Sequence, residues 1–243
     1  MMLIWVTFWV LLALTVWNQQ SRMKMRSKSQ SDWILDLIGL SMQGIVIPFL
    51  QITIVYQLYS WLLPSLKEVL ILPSWMGFFL SFVLVDYLYY WNHRFLHRRG
   101  IWSIHQVHHT VTTLDVMGTS RNTLWTSFFI LYLWVHPLFL YLLNHPAGYA
   151  LGASLTAALD LWRHSMWSPS QESFLYRCLV PWLILPCDHA QHHARSQHSY
   201  NYGANLKLWD CLHGTDRFLD SVPDRLGVPT SLSLTRQLFW PFP

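Results

Sequence analysis

The stretch WMGFFLSFVLVDYLYYWNHRFLH, residues 75–97, changes character towards its end. Its first part, Trp75 to Trp91, carries a single charge, Asp86. Because a helix rises about 1.5 Å per residue, this run approaches the roughly 30 Å thickness of a membrane's hydrocarbon core. His93 and His97 follow at a spacing of four, which places both on one helix face. The stretch predicts a membrane helix that ends in paired histidines.

The rest of the chain is similarly apolar. Hydrophobic residues make up 53% and charged residues 12% of the 243 positions, whereas about 25% charged is usual for soluble domains. The apolar runs 123–143 and 147–162 are joined by NHPAG and predict a helical hairpin. The small residues of AGYALGAS allow close packing within it. We therefore expect an all-α membrane protein of transmembrane helical hairpins, with the histidines in a cytoplasmic helical cap. The other charge-poor runs are Met1 to Trp17, Trp33 to Pro64, Thr123 to Leu143 and Ala147 to Trp162.

Basic residues suggest the orientation. The segment RMKMRSK, residues 22–28, carries four positive charges beside the first run, so the positive-inside rule places it in the cytoplasm. Alternating spans at 33–63, 75–92, 123–143 and 147–163 then put every histidine cluster on that side. A tight hairpin at Pro48 would reverse this assignment. The first run is expected to be a retained anchor rather than a signal peptide. The predicted location is a multi-pass protein of the endoplasmic reticulum in a eukaryote, or of the inner membrane in a bacterium.

Charge and cysteines exclude two other classes. The net charge of +4 fits a protein on anionic cytoplasmic lipids, and no basic stretch beyond 22–28 suggests nucleic acid. Cys178, Cys187 and Cys211 show no CxxC spacing, so a disulfide scaffold is not expected.

Nine of the thirteen histidines fall into four places. A single histidine is more often an ordinary core residue, but H-x-x-H-H should arise by chance roughly 0.04 times in such a chain, and it occurs twice. Imidazole is the commonest biological metal ligand near neutral pH, so the pattern predicts a metal site. The candidate ligands are His93, His97, His105, His108, His109, His164, His189, His192 and His193.

The number of candidates predicts two ions, since one zinc ion needs about four ligands. Ligand type alone leaves iron, zinc, copper and nickel open. The scarcity of acidic residues near the clusters argues against a glutamate-rich carboxylate site. Asp188 follows Pro186 at a predicted helix start, where an acidic residue is an ordinary cap.

The order H-x3-H, H-x2-HH, H-S, H-x2-HH resembles the fatty acid hydroxylase/sterol desaturase superfamily of integral-membrane di-iron oxygenases. LPCDHAQHH looks like its proline-led third box, and NYGANLKLWDCLHGTD, residues 201–216, resembles its closing signature. The similarity covers roughly residues 75–217. It implies membrane anchor helices over 1–74, a catalytic domain over 75–217 and a tail over 218–243.

The resemblance implies that the nine histidines ligate two irons. Ser168 stands where some members have a further histidine, so the count matches the desaturase-like and methyl-oxidase-like members. His198, His213, His136 and His145 are not expected to be ligands. Arg121 resembles an arginine of the same loop in the family. Residues that match the closing signature and are expected to support the site are Asn201, Tyr202, Gly203, Trp209 and Asp210.

The implied reaction is the O2-dependent hydroxylation or desaturation of an unactivated C–H bond in a lipid or other hydrophobic molecule. Because the chain has no G-x-G-x-x-G, C-x-x-C-H or iron–sulfur motif, NAD(P)H-derived electrons are expected through cytochrome b5, a ferredoxin or a reductase. Two alternatives are a histidine-rich membrane metal transporter or sensor and a zinc-dependent lipid hydrolase. The transporter predicts an ion path of acidic residues inside the spans, for which Asp36, Asp86 and Asp160 are the candidates.

Overall fold

The computed structural model describes residues 2–194, 200–217, 223 and 225–242. Over these residues it is helical and contains no β-strand, in agreement with the predicted all-α class. Three short 3-10 turns, Pro64–Leu66, His108–Thr110 and Gly118–Ser120, lie between helices. The helices are α1 (Met2–Trp17), α2 (Gln19–Arg26), α3 (Gln30–Leu62), α4 (74–96), α5 (Trp102–His105), α6 (Thr126–Phe129), α7 (Tyr132–Leu142), α8 (Ala147–Arg163), α9 (Phe174–Leu179), α10 (Pro186–His193), α11 (Leu208–His213) and α12 (Leu234–Phe239).

Helix α3 passes through Pro48 without a hairpin. Single π-helical turns, Met42–Val46 and Gln51–Val55, lie on either side of the proline, and such turns accommodate a residue that lacks a backbone N–H. The hairpin alternative for 33–63 is therefore wrong. Within the described residues, α3 is long and apolar enough to cross a membrane, and a second crossing is added only if α1 and α2, bent by 98°, form one broken span.

Helices α4 and α8 pack at very short range, as the AGYALGAS stretch predicts. A Cβ placed on Gly148 would overlap the Ser74 carbonyl, and one on Gly152 would lie 2.9 Å from the Phe78 carbonyl oxygen. Helix α1 packs against another part of α8. Helix α8 is thus fixed from two sides, and so is the histidine that follows its last residue.

The predicted span over 123–143 is wrong as one continuous helix. Residue Ile130 is extended (φ −75°, ψ 125°), and α7 begins only at Tyr132. Asn92 of α4 stabilises the break, because its side chain donates to the Phe129 carbonyl and accepts from the Leu131 N–H. The remaining helix has 11 residues and is about 17 Å long. The hairpin of α7 and α8 is present, but its first arm is shorter than predicted.

A buried carboxylate joins α4 to the segment before α11. Asp86 accepts hydrogen bonds from the Asn205 N–H at 2.9 Å, the Leu206 N–H at 3.1 Å and the Trp209 indole at 2.8 Å. Arg163 at the end of α8 donates to the Asn205 side chain at 3.0 Å. These bonds hold residues 201–215 beside the ends of α4 and α8, where the histidines lie.

Candidate metal centre

The nine predicted histidines come together in two adjacent groups. Within each group one nitrogen per residue lies within 4.8 Å of every other. The groups touch, since the His109 and His193 rings have centroids 5.0 Å apart and those of His105 and His108 lie 5.2 Å apart. The five-histidine group is His93, His97, His105, His109 and His192, and the four-histidine group is His108, His164, His189 and His193.

Each H-x-x-H-H motif is divided between the groups, and in the second motif, within α10, regular helical geometry explains the division. Residues four apart share a helix face, whereas the next residue is turned by about 100°. His189 and His193 of α10 therefore join the four-histidine group, and His192 joins the other. In the first motif the His105 and His109 pair joins the five-histidine group, and the intervening histidine joins the four-histidine group. Of the two adjacent histidines in each motif, one therefore belongs to each group.

Nitrogen spacing in the five-histidine group fits a shared cation. The His93 Nε2 atom lies 3.0 Å from His105 Nε2, 3.2 Å from His192 Nε2 and 3.3 Å from His97 Nε2. Ligand nitrogens at about 2.1 Å from one ion are separated by about 3.0 Å at right angles and about 3.4 Å at tetrahedral angles. The observed spacing matches that range.

The four-histidine group has the same spacing. His189 Nε2 lies 3.0 Å from His164 Nε2 and 3.0 Å from His193 Nε2. Clustered ring nitrogens cannot all donate to one another, and neither ring nitrogen of the buried His109 has a hydrogen-bond partner among the described residues. Because buried polar atoms normally find a partner, these nitrogens fit a site for metal ions.

Backbone carbonyls fix the proton on three of the rings. The Nδ1 atoms of His93, His108 and His164 donate to the carbonyls of Tyr202 at 2.9 Å, Arg121 at 3.1 Å and Asp160 at 2.9 Å. A carbonyl can only accept, so the proton lies on Nδ1 and the Nε2 lone pair is free. This arrangement is typical of metal-ligating histidine, whose other nitrogen is held by a neighbouring acceptor.

Burial keeps the rings neutral. Burial and, to a smaller extent, the neighbouring His164 together lower the pKa of His108 to about 3. Burial also lowers the pKa of His105, His109, His192 and His193 well below the ordinary value. Neutral imidazole is the form that binds metal. The site is therefore prepared for ligation at physiological pH.

The closing signature supports the five-histidine group through Tyr202. The Asp210 carboxylate accepts from the Tyr202 and Gly203 N–H groups at 2.7 Å each and from the Thr215 hydroxyl at 2.8 Å. Burial raises the pKa of Asp210 to about 6. Asn201 begins this turn at a positive φ of 57°. The turn presents the Tyr202 carbonyl to the His93 ring.

The remaining described histidines lie outside both groups. The His136 ring is paired with the Tyr149 hydroxyl at 2.9 Å, and the His213 ring stacks on Tyr90 with centroids 5.0 Å apart. His145 is exposed. His198 lies outside the described residues.

Asp188 has the capping role expected of it. Its carboxylate accepts from the Leu185 N–H at the start of α10, and it pairs with Lys207 at 2.7 Å. Ser168 has a hydrogen bond with the Cys187 thiol. The three cysteines are free, as predicted.

The three acidic residues considered as an ion path have other partners. Asp86 binds backbone N–H groups as described, and Asp160 pairs with Arg163 at 3.1 Å. Asp36 pairs with Lys28 and Arg121. Sequence reasoning overlooked these roles, although an acid in an apolar run is usually paired. The sequence also indicated no partner for Lys28, because its contact with Asp115 joins distant parts of the chain.

Comparison with known proteins agrees with the sequence pattern. A family model described as "Fatty acid hydroxylase" matches residues 78–215. The alkylglycerol monooxygenase of Danio rerio is 33% identical over 142 residues, which cover 56% of this chain and 29% of that protein. The human alkylglycerol monooxygenase is 29% identical over 148 residues, covering 58% of this chain and 30% of that protein. An ornithine lipid hydroxylase of Rhizobium tropici is 30% identical over 147 residues, covering 56% of this chain and 40% of that protein.

The aligned segment is only part of these relatives, because it spans between 29% and 40% of their length. No solved structure shows significant similarity to the chain. The matched residues 78–215 nevertheless make up more than half of the chain and contain all nine histidines. The resemblance seen in the sequence is confirmed: the chain belongs to the fatty acid hydroxylase family.

Proposed function

We propose that this protein is a membrane-bound non-heme di-iron oxygenase that hydroxylates an unactivated C–H bond of a lipid. The observation that carries the proposal is the convergence of nine histidines in two adjoining all-nitrogen groups. Each group has enough ligands for one ion. The monooxygenase and hydroxylase names of the relatives favour iron over zinc and hydroxylation over desaturation.

The five-histidine group would hold one iron and the four-histidine group the other. When bound, the two irons supply the activation of O2 and the removal of hydrogen from the substrate carbon. The protein's part is to hold the ligand rings neutral and aimed. The carbonyls of Tyr202, Arg121 and Asp160 do this for one ring each.

Unequal burial suggests where the substrate carbon lies. The residues of the five-histidine group are all buried, whereas His108 and His189 of the four-histidine group are half-buried as whole residues, with their candidate ligand atoms buried. We place the substrate carbon beside the four-histidine group. A catalytic metal site keeps an open position, whereas a closed site does not. In this arrangement the more deeply buried five-histidine group would exclude water from the ion that it holds.

The substrate we propose is a membrane lipid with a polar headgroup and a long chain. The relatives are named for alkylglycerols and for an ornithine lipid, which share that form. The apolar helix α3 supports a membrane location, and the basic segment 22–28 favours the cytoplasmic face for the site of the multi-pass protein that we propose. Two electrons per turnover would come from a separate carrier such as cytochrome b5, a ferredoxin or a reductase.

Comparative lipid analysis tests this function. Cells that express the protein are compared with cells that express His192→Ala, and purified iron-loaded protein is then given alkylglycerol or ornithine lipid with a reductant. We expect a lipid heavier by one oxygen atom, formed only by the unaltered protein and only with O2. The matched control His136→Phe alters a histidine outside both groups and should keep the product. An unchanged lipid profile, or full activity in iron-free protein, would overturn the proposal.

A further inference from the structure

A buried ionic network lies beside the four-histidine group. Lys28 pairs with Asp36 at 2.7 Å and with Asp115 at 2.5 Å, and Arg121 pairs with Asp36 at 2.6 Å and with Asp32 at 2.6 Å. Asp36 is the centre, since one carboxylate oxygen accepts from each cation. Apart from Asp32, every side chain in the network is at most 1% exposed. Buried charges of this kind persist only when they are paired.

The network joins the N-terminal helices to the loop that follows the HQVHH motif. Lys28 and Asp36 precede the family-matched residues 78–215, whereas Asp115 and Arg121 lie within them. The contact is close, because a Cβ on Gly39 of α3 would overlap the Ser120 carbonyl. Helix α3 is therefore packed directly against the backbone that carries Arg121.

That backbone holds a metal-site histidine. The Arg121 carbonyl accepts from His108 Nδ1 at 3.1 Å, while the Arg121 guanidinium is bound by Asp36 and Asp32. The carbonyl partners of the other two fixed rings, Tyr202 and Asp160, lie inside the family-matched segment. Of the three fixed rings, His108 alone is held by a residue whose side chain is ion-paired to the N-terminal helices.

We propose that Asp36, through Arg121, positions the His108 ligand and thereby sets the metal affinity of the four-histidine group. Asp36 fixes Arg121, and the Arg121 carbonyl fixes the proton and the orientation of the His108 ring. The N-terminal segment is then part of the metal centre as well as an anchor. This inference rests on the proposed function only in that both histidine groups take up a metal ion.

Titration of the metal-free full-length protein with Co2+, followed by visible absorption, tests the proposal. The unaltered protein should show two binding steps, and His193→Ala should remove the step that belongs to the four-histidine group. Asp36→Asn should weaken that same step by about 10–100-fold, the usual effect of losing a partner of a ligand, and should leave the other step unchanged. Glu68→Gln is the matched control, because its pair with Lys67 is about half exposed, and it should change neither step.

Two further variants keep the test decisive if Asp36→Asn does not fold. Arg121→Lys retains the cation but lacks the planar guanidinium, whose separate nitrogens bind Asp36 and Asp32, so it should weaken the same step. The double change Lys28→Met with Asp115→Asn removes one charge of each sign and leaves the Arg121–Asp36 pair, so it should largely retain the step.

Opposing results would be clear. Wild-type Co2+ affinities in both Asp36→Asn and Arg121→Lys would overturn the inference, as would equal weakening of both steps in variants that keep their helical circular dichroism. Unaltered protein that binds fewer than two Co2+ would overturn the inference and the proposed function together. Two binding steps without any oxygenated lipid from iron-loaded protein would overturn the proposed function alone.

Discussion

The two histidine groups differ in enclosure and in what supports them. The five-histidine group is buried throughout, and its His93 ring is held by Tyr202 of the closing signature. The four-histidine group includes two half-buried residues, and its His108 ring is held by Arg121, which α3 anchors. The comparison teaches that two chemically similar sites can be built from different parts of a chain and can differ in how deeply their residues are buried.

Removing a ligand from either group should abolish the reaction. We expect His109→Ala and His193→Ala each to lower product formation at least about 100-fold, because loss of a mere partner of a ligand already costs about 10–100-fold. Lipid product measured by mass spectrometry checks this. If one of the two variants kept wild-type turnover, its histidine group would have no part in the reaction. The claim that both groups are needed would then be wrong.

Loss of Asp210 should affect the five-histidine group alone. Asp210→Ala leaves the buried Tyr202 and Gly203 N–H groups without their acceptor, at a cost of about 2–4 kcal/mol in the free energy of unfolding. Denaturant unfolding in detergent measures the loss, and a Co2+ titration shows which group weakens. Exposed Asp216→Ala is the control. Equal weakening of both groups would show that their supports are not separate.

Acidification should destabilise the metal-free fold. Because the pKa of His108 is lowered to about 3 in the folded state and is about 6.5 when unfolded, the unfolded state binds more protons between these values. Stability should therefore fall as pH decreases below about 6.5, with His108 alone contributing about 2 kcal/mol between pH 7.5 and 5. Unfolding free energies of His108→Gln and wild-type protein at both pH values check this. An equal pH dependence in the two proteins would contradict the prediction.

The smallest expected effect concerns the contact between α3 and the Arg121 loop. Gly39→Ala places a methyl group against the Ser120 carbonyl and should cost about 1–2 kcal/mol. Gly44→Ala is its matched control in the same helix, since a Cβ there meets nothing within 4 Å, and it should be neutral or slightly stabilising. Thermal unfolding compares the two. Equal stabilities would mean that the contact is not tight.

The sequence predicted which histidines converge far better than it predicted the residues that support them. Spacing alone selects His189 and His193 as one helix face, and the repeated motif indicates a metal site. The spacing did not decide whether His192 or His193 shares an ion with His189, because residues three and four apart both lie near one helix face. The hydrophobic pattern also wrongly predicted one continuous helix over residues 123–143. Asn92, distant in sequence, stabilises a break in that apolar run.

The sequence did not predict the buried ion pairs of Lys28 and Asp36 for a related reason. Lys28 looked like part of a basic cytoplasmic segment, and Asp36 looked like an isolated charge in an apolar span. Their pairing spans the distance from the N-terminal helices to Asp115 and Arg121. No local periodicity reports such a contact, so the predicted division at residue 74 separates residues that the fold joins.

Iron content is the most direct test of the central claim that each histidine group holds one ion. Purified full-length protein is reconstituted with Fe2+ without oxygen, and bound iron is counted in wild type and in His193→Ala. The account predicts about two irons per chain in the wild type and about one in the variant. A single iron in the wild type, shared by both groups, would contradict it.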